Sequence, residues 1–265
     1  MSTPIRFVVA SDNHGDLADQ TSCRALWEFI ADFKPQVRVH AGDNWDFRNL
    51  RRGASDEEKA GTLEDDWEQG ADFLRRFFDG GKRNHFLRGN HDERLWHFER
   101  SCVGLVRDYA REGIRRVESL VKRSNATMQP YDSRLGVLDL GKLRIVHGYH
   151  AGIGAARQHA SVYGNCIFGH VHTQESAPVA SLEPAEAKSI GCLCAADIDY
   201  INSKTGKLRW AQGWAYGLLY PSGKYTLSLT RKIEGKFHAA TDFNSYYSMG
   251  RACQARADQG PVTSG

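Results

Sequence analysis

Long apolar runs are missing from this 265-residue chain. None approaches the ~20 consecutive residues that a membrane-spanning helix needs. The apolar stretch around Phe7-Val8-Val9-Ala10 is too short for the core of a secretion signal and reads as a first strand. A cytoplasmic location and no membrane partner are the expectation. Cysteine is sparse as well: six residues do not make a disulfide framework. Cys192 and Cys194 lack zinc-site spacing and are expected to be buried, reduced thiols on opposite faces of a strand-like stretch. A large excess of charge of one sign is also missing. A formal net charge of +3 is too mild to identify a nucleic-acid binder and does not exclude one. Repeats, low-complexity segments and a clear interdomain linker are absent. What remains, 41% hydrophobic and 25% charged residues, is ordinary globular composition, long enough for one large α/β domain or two small ones.

Short apolar strands recur along the chain, and each runs into a polar junction. The first ends in Ser11-Asp12-Asn13-His14. Leu26, Phe29, Ile30 and Phe33 then mark one face of a helix that Pro35 stops, and the strand Val37-Arg38-Val39-His40 leads to Gly42-Asp43-Asn44-Trp45-Asp46. That is one βαβ unit, with both strand ends on the same edge. Ser55 and Glu58 have capping-box spacing, and a helix is expected from there to Gly80-Gly81. It would bury Phe73, Leu74, Phe77 and Phe78 and turn a solvated acidic face outward that includes Asp56, Glu64 and Asp66. A strand at 85–87 ends in Arg88-Gly89-Asn90-His91-Asp92. Residues 93–125 are expected to be helical, although Gly104 and Gly113 interrupt the pattern. Phe98, Leu105, Tyr109, Val117 and Leu120 share one side, while Arg100, Arg107, Arg111, Arg115 and Lys122 form a stripe that suits either a solvated face or a phosphate track. A hairpin at 135–140 and 143–146 ends in His147-Gly148-Tyr149-His150, and a short helix and a strand at 165–168 lead to Gly169-His170-Val171-His172. Further strands are expected at 188–194, 214–220 and 224–231. The whole reads as a single domain over 1–238, with 93–125 as a helical insertion and 239–265 as an extended tail.

Taken singly, each junction has an ordinary explanation. Asp12 could cap a helix, and Gly-Asn-His-Asp could be a plain turn. Together they form an ordered set: Asp12-x-His14, Gly42-Asp43-x-x-Asp46, Gly89-Asn90-His91-Asp92, His147-Gly148 and Gly169-His170-x-His172. Parallel strands present their carboxyl ends along one edge, where residues far apart in sequence converge. Imidazole, carboxylate and one amide oxygen suit divalent transition metals of intermediate softness. Seven such groups without a thiolate are more than one ion uses, and two ions about 3.5–4 Å apart around a shared carboxylate fit the inventory.

This set resembles the motifs of the calcineurin-like metallophosphoesterases, a family that includes Ser/Thr phosphatases, DNA-repair nucleases and cyclic-nucleotide phosphodiesterases. The resemblance covers residues 5–175, with the fold extending to about 235. It implies an α/β fold, a four-layer β-sandwich flanked by helices, with a dinuclear metal site at the carboxyl ends of the strands. By the same resemblance Asp12, His14 and His172 would bind the first metal, Asn90, His147 and His170 the second, and Asp43 would bridge them. His91 would face the scissile phosphate, oriented by Asp46. The implied activity is metal-dependent phosphoester hydrolysis by a hydroxide bridging the two ions, with His91 protonating or stabilising the leaving oxygen. Manganese is the expected cofactor, and iron and zinc also fit the ligand set.

The metal motifs do not specify the substrate. The basic loop 48–52 and the cationic stripe lean toward phosphodiesters of DNA or of nucleotides. A phosphomonoesterase acting on proteins or small molecules is the alternative. A non-catalytic interaction module on the same fold is the third reading, and it would show eroded ligands, of which there are none. Arg88 and Arg94 bracket the Gly-Asn-His-Asp turn, and Tyr149 and His150 follow a ligand. These four are candidate substrate contacts, with ion-pair or packing roles as the alternatives.

Overall fold

Alternation along the first strands sorts their side chains into two different cores. In the computed structural model, which describes residues 3–60, 63–182, 185–195 and 209–239, β1 (Ile5–Ala10) pairs in parallel with β2 (Val37–His40). Phe7, Val9, Val37 and Val39 enter one core while Val8 and Ala10 enter the other, as a period of two requires. Between these strands α1 (Gln20–Phe33) buries the expected face of Leu26, Phe29, Ile30 and Phe33. Asp19 caps it by accepting the Ser22 N–H, and Lys34 ends it in a left-handed conformation just before Pro35.

The capping box forms in both directions. The Ser55 N–H donates to Glu58 Oε2 at 2.7 Å and the Glu58 N–H donates to Ser55 Oγ at 3.1 Å. The helix it opens, α2 (Asp56–Ala60), is short, and a second helix, α3 (Glu64–Phe78), buries Phe73, Leu74, Phe77 and Phe78. The single helix expected here is therefore two, with the poor helix formers Gly61 and Thr62 between them in the sequence.

β3 (Arg83–Leu87) joins β2 in parallel. The segment after it is also two helices, α4 (Glu93–Ser101) and α5 (Gly104–Arg123), which part where Gly104 takes a φ of 61°. That break removes Arg100 from the stripe and leaves Leu105 and Tyr109 exposed rather than buried, while Val117 and Leu120 do enter the core. β4 (Ala126–Gln129) then adds an edge strand parallel to β3 that the helical pattern had concealed.

The second sheet begins with a hairpin, β5 (Leu138–Leu140) and β6 (Leu143–Val146), closed by Gly141 and Lys142 with Leu140 opposite Leu143. After α6 (Ala155–Tyr163) come β7 (Cys166–Phe168), β8 (Ser176–Val179) and β9 (Ala185–Ser189), in the spatial order β5-β6-β7-β9-β8. β9 lies earlier than expected because Ala185 and Ala187, alternating with Glu186 and Lys188, carry the two-residue period. The unforeseen β8 is an edge strand, where Pro178 can lack an N–H without breaking a ladder. β10 (Ala215–Leu219) and β11 (Ser228–Leu229) complete the first sheet as β11-β10-β1-β2-β3-β4, the last strand much shorter than expected.

The two sheets meet face to face through Phe7, Val9, Val37, Val39 and Leu87 on one side and Leu140, Leu143, Ile145 and Ile167 on the other. Residues of α1, α3 and α5 cover the outer face of the first sheet, and Ala155, Ala156, Ala160 and Tyr163 of α6 cover that of the second. Helices, sheet, sheet and helix make the four layers expected of the α/β sandwich. The expected tail lies outside the described residues from position 240 onward.

Candidate metal centre

The five polar junctions come from both sheets and meet at one rim. β1, β2 and β3 deliver Asp12 and His14, Asp43 and Asp46, and Asn90 and His91; β6 and β7 deliver His147, His170 and His172. The backbone there is forced: Asp12, His14, Asp43, His170 and His172 all have left-handed φ, between 53° and 66°. Such conformations cost about 1–3 kcal/mol each and persist only where the surroundings over-determine them. Here the junctions are sewn to one another. Asp12 N–H donates to Gly42 O at 2.9 Å, His14 N–H to Asp43 O at 3.1 Å and Gly15 N–H to Asn44 O at 2.8 Å. Buried Asp92 accepts the N–H groups of Asp43, Asn44, Trp45 and Gly89 at 2.8–3.1 Å. Asp66 was expected on a solvated face, yet it is buried and accepts the N–H groups of Asp46 and Phe47.

All seven predicted ligands converge. In one group, His172 Nε2 lies 3.2 Å from both Asp12 Oδ1 and His14 Nε2. In the other, Asn90 Oδ1 lies 3.0 Å from His147 Nε2 and 2.8 Å from His170 Nδ1. Asp43 stands between them, with Oδ2 3.3 Å from His147 Nε2 and 3.9 Å from His14 Nε2. His91 Nδ1 is 2.9 Å from Asp46 Oδ1, the predicted pair, and its backbone N–H donates to Asp43 Oδ1 at 2.8 Å. The same Asp46 oxygen also lies 2.9 Å from His14 Nδ1, so this carboxylate steadies a candidate ligand as well. Asp12, His14, Asp43, His147 and His172 are buried, whereas Asn90, His91, Arg94 and His170 are half-buried. The centre therefore opens to solvent along the edge that carries Asn90, His91, Arg94 and His170.

Burial opposes the charged form of every carboxylate here; the imidazoles outweigh it at Asp12, Asp43 and Asp46, whereas burial pushes Asp66 and Asp92, which hold the backbone instead, up to about 7. His172 lowers the pKa of Asp12, and His147 and His91 hold Asp43 well below the usual range. Burial likewise opposes charge on His147, but Asp43 raises it to about 9, and Cys192 and Asp12 do the same for His172. Burial and the nearby His147 lower His170 to about 4. Among the described residues three triads, His14–Asp43–His91, Asp43–His147–His170 and His14–His172–Cys194, have their ligand atoms within 4.8 Å of one another, and with the Asp12 carboxylate and the Asn90 amide oxygen beside them they make a donor set that fits divalent cations.

A proton competition follows. Cations at this centre must displace protons from His147 and His172, so metal binding at pH 7 is expected to release about two protons, and metal affinity to rise with pH toward about 9. In the metal-free chain both folded-state values lie above the ordinary 6.5, so the stability they contribute is complete below pH 6.5 and is lost as pH rises through about 9. Titration calorimetry in buffers of different ionisation enthalpy counts the protons, and a binding heat independent of buffer at pH 7 would contradict this account.

The expected substrate contacts divide. Arg94 is at the rim, with Nη1 donating to Asp46 O and Nη2 3.4 Å from His91 Nε2. Arg88 is not: its guanidinium stacks 3.9 Å over Trp96 and pairs with Glu93 at 3.3 Å, the structural alternative. Tyr149 donates to Asp132 O and stacks on Tyr131, whose ring meets His147 edge-on at 5.7 Å. His150 packs against His159 instead of the candidate ligands. Sequence reasoning overlooked Tyr131 and Trp210, the latter 4.3 Å edge-on from His172, because neither lies in a strand-end motif. It also misplaced the two thiols. Residues two apart on extended chain share a side, and Cys192 and Cys194 sit together behind His172, with Cys194 Sγ 3.8 Å from its Nδ1.

No family model and no curated protein sequence matches this chain. Similar solved structures include an archaeal phosphodiesterase, 15% identical, covering 85% of this chain and 99% of its own, with a TM-score of 0.44. YfcE, a phosphoesterase from E. coli, is 16% identical over 89% of this chain and 97% of its own, with a TM-score of 0.38. Vps29 from Chaetomium thermophilum is 12% identical over 89% of this chain and 95% of its own, with a TM-score of 0.46.

Proposed function

We propose that the chain is a metal-dependent phosphoester hydrolase of the calcineurin-like type, acting on phosphodiesters of nucleotides. The observation that carries this is the position of Asp43 between two imidazole-bearing groups, with the His91–Asp46 pair at their open side. Asp12, His14 and His172 would hold one divalent cation, Asn90, His147 and His170 a second, with Asp43 common to both. Two such cations, manganese the first to test, supply positive charge for the phosphoryl oxygens and a water acidic enough to attack phosphorus near pH 7.

The chain's own groups supply the rest. Asp46 takes His91 Nδ1, and Nε2 lies 3.9 Å from Asp43 Oδ2 and 3.4 Å from Arg94 Nη2, at the edge of the centre where a leaving oxygen would collect a proton. Arg94, alongside it, is placed to grip a non-bridging oxygen. Tyr131 and Tyr149 on one flank and Trp210 on the other offer rings to a nucleoside arm. A long nucleic-acid backbone is less well served. Arg48 is paired with Asp16, Arg51 with Glu58, Arg100 with Glu93, Arg111 with Glu99 and Arg115 with Glu112, so most of the presumed phosphate track is already neutralised.

The test compares a bis-nitrophenyl diester with the nitrophenyl monoester after chelation and readdition of manganese. Faster diester hydrolysis supports the proposal, faster monoester hydrolysis favours a phosphatase, and no hydrolysis of either favours an interaction module. His91→Ala is expected to lower turnover about 10²–10⁴-fold with unchanged metal content by elemental analysis. Equal turnover in the variant would remove His91 from the mechanism.

A further inference from the structure

A second cleft lies at the opposite end of the strands. Its walls are residues that precede or begin β1, β2 and β3 together with side chains of α1 and α3, and β2 alone, four residues rising about 3.3 Å each, holds it on the order of 13 Å from the candidate metal centre. The cleft measures about 700 Å³, the size of small-molecule sites.

Its chemistry is one-sided. Arg6, Lys34, Arg38, Arg76 and Lys82 line it, against the single carboxylate of Asp79. Among the described residues Lys34 and Lys82 form no ion pair, and Arg76 pairs with Asp72. Arg38 is the unusual member. It projects from the helix-covered face of a central strand, is only 6% exposed, and donates Nη1 to Phe77 O at 2.9 Å, while its buried Nε has no partner. A guanidinium buried without a carboxylate in contact is costly unless an anion completes it, and with Nη1 given to Phe77 O and Nε enclosed, Nη2 beside Gly80 is the donor left for a phosphate oxygen. Gly80 and Gly81 pack beside Arg38. A Cβ at Gly80 would come 3.5 Å from Arg38 Nη2, and one at Gly81 3.1 Å from Arg38 Cδ. The facing wall is different in kind: Trp27, Ile30 and Pro35 present an indole and aliphatic carbon.

We propose that this cleft binds a small phosphate ester carrying a flat or apolar group, of nucleoside monophosphate size, with Arg38 gripping the phosphate, Lys34 and Lys82 flanking it and Trp27 receiving the other end. The site uses none of the metal-binding residues, so it stands or falls separately from the proposed hydrolase activity.

AMP and inorganic phosphate are the probes, titrated calorimetrically into the full chain with manganese and again after chelation. AMP binding is expected to survive chelation, to exceed that of phosphate, and to weaken about tenfold or more in a Lys34→Glu/Lys82→Glu double variant, whose exposed positions leave the fold intact. Trp27→Phe should weaken AMP and leave phosphate unchanged. Arg38→Gln should abolish both if circular dichroism shows it folded. Unchanged AMP affinity in the double variant, or AMP binding that disappears with the metal, overturns the proposal. Equal affinity for AMP and phosphate overturns the role of Trp27.

Discussion

Replacing Asp43 with asparagine is expected to lower hydrolysis by about 10²–10⁴-fold and to leave fewer than two cations bound per chain, in a protein that still folds. The side chain keeps its shape, and an amide oxygen can still accept the His91 N–H that Asp43 Oδ1 accepts at 2.8 Å. The other oxygen cannot be replaced. Oδ2 is the atom that faces both His147 and His14, and an amide nitrogen there would put a donor where a shared anion is needed. The change also removes the charge that opposes the burial cost of protonated His147. The variant should therefore lose the acid-side stability of the metal-free protein, its melting temperature falling most below pH 6.5 and least above pH 9. Metal content by elemental analysis, turnover at saturating manganese and melts across that range test all three. Two ions per chain with turnover within tenfold of the parent would remove Asp43 from the bridging place proposed for it.

The candidate ligands were legible because their signal is local. A short apolar strand ending in a small residue and then Asp, Asn or His can be recognised without knowing where the chain goes next, and Asp12, Asp43, Asn90, His147 and His170 all announce themselves in that way. The groups that hold those junctions in place are not local. Asp66 sits in an acidic run that any periodicity argument assigns to solvent, and only the approach of α3 to the Asp46 loop buries it. Asp92 was visible as part of a motif, but its four backbone partners come from two junctions 46 residues apart in sequence by the positions of Asp43 and Gly89. The helical breaks failed for a related reason. Gly104 flagged the end of α4, yet the change of direction that exposes Leu105 depends on the backbone angle taken there and not on residue type. Edge strands β4 and β8 escaped because a strand with one neighbour needs little apolar alternation.

Gly89→Ala is expected to be severely damaging although it adds a single methyl group. The new Cβ would lie 2.1 Å from Asp43 Oδ1 and 2.4 Å from Asp43 N, well inside contact. Neither atom can retreat. Asp43 N–H is fixed on Asp92 Oδ2 at 2.8 Å, and the Gly89 N–H is fixed on the same oxygen at 2.8 Å, so the two junctions are pinned on each side of the collision. Gly89 does not have a positive φ, which separates crowding from backbone strain: alanine can adopt the conformation and still has no room. The expected loss is about 3 kcal/mol or more, a fall of roughly 6–12 °C in melting temperature for a chain of this size. Gly53→Ala is the matched control, since its φ is +77° and nothing lies within 4 Å of its Cβ. It carries strain without a clash, and it should cost only about 1 kcal/mol with metal content unchanged. If Gly89→Ala melts within about 2 °C of the parent and binds its full complement of metal, the junctions are not held against each other as described, and the close approach of β2 and β3 ends ceases to explain how Asp43 is aimed.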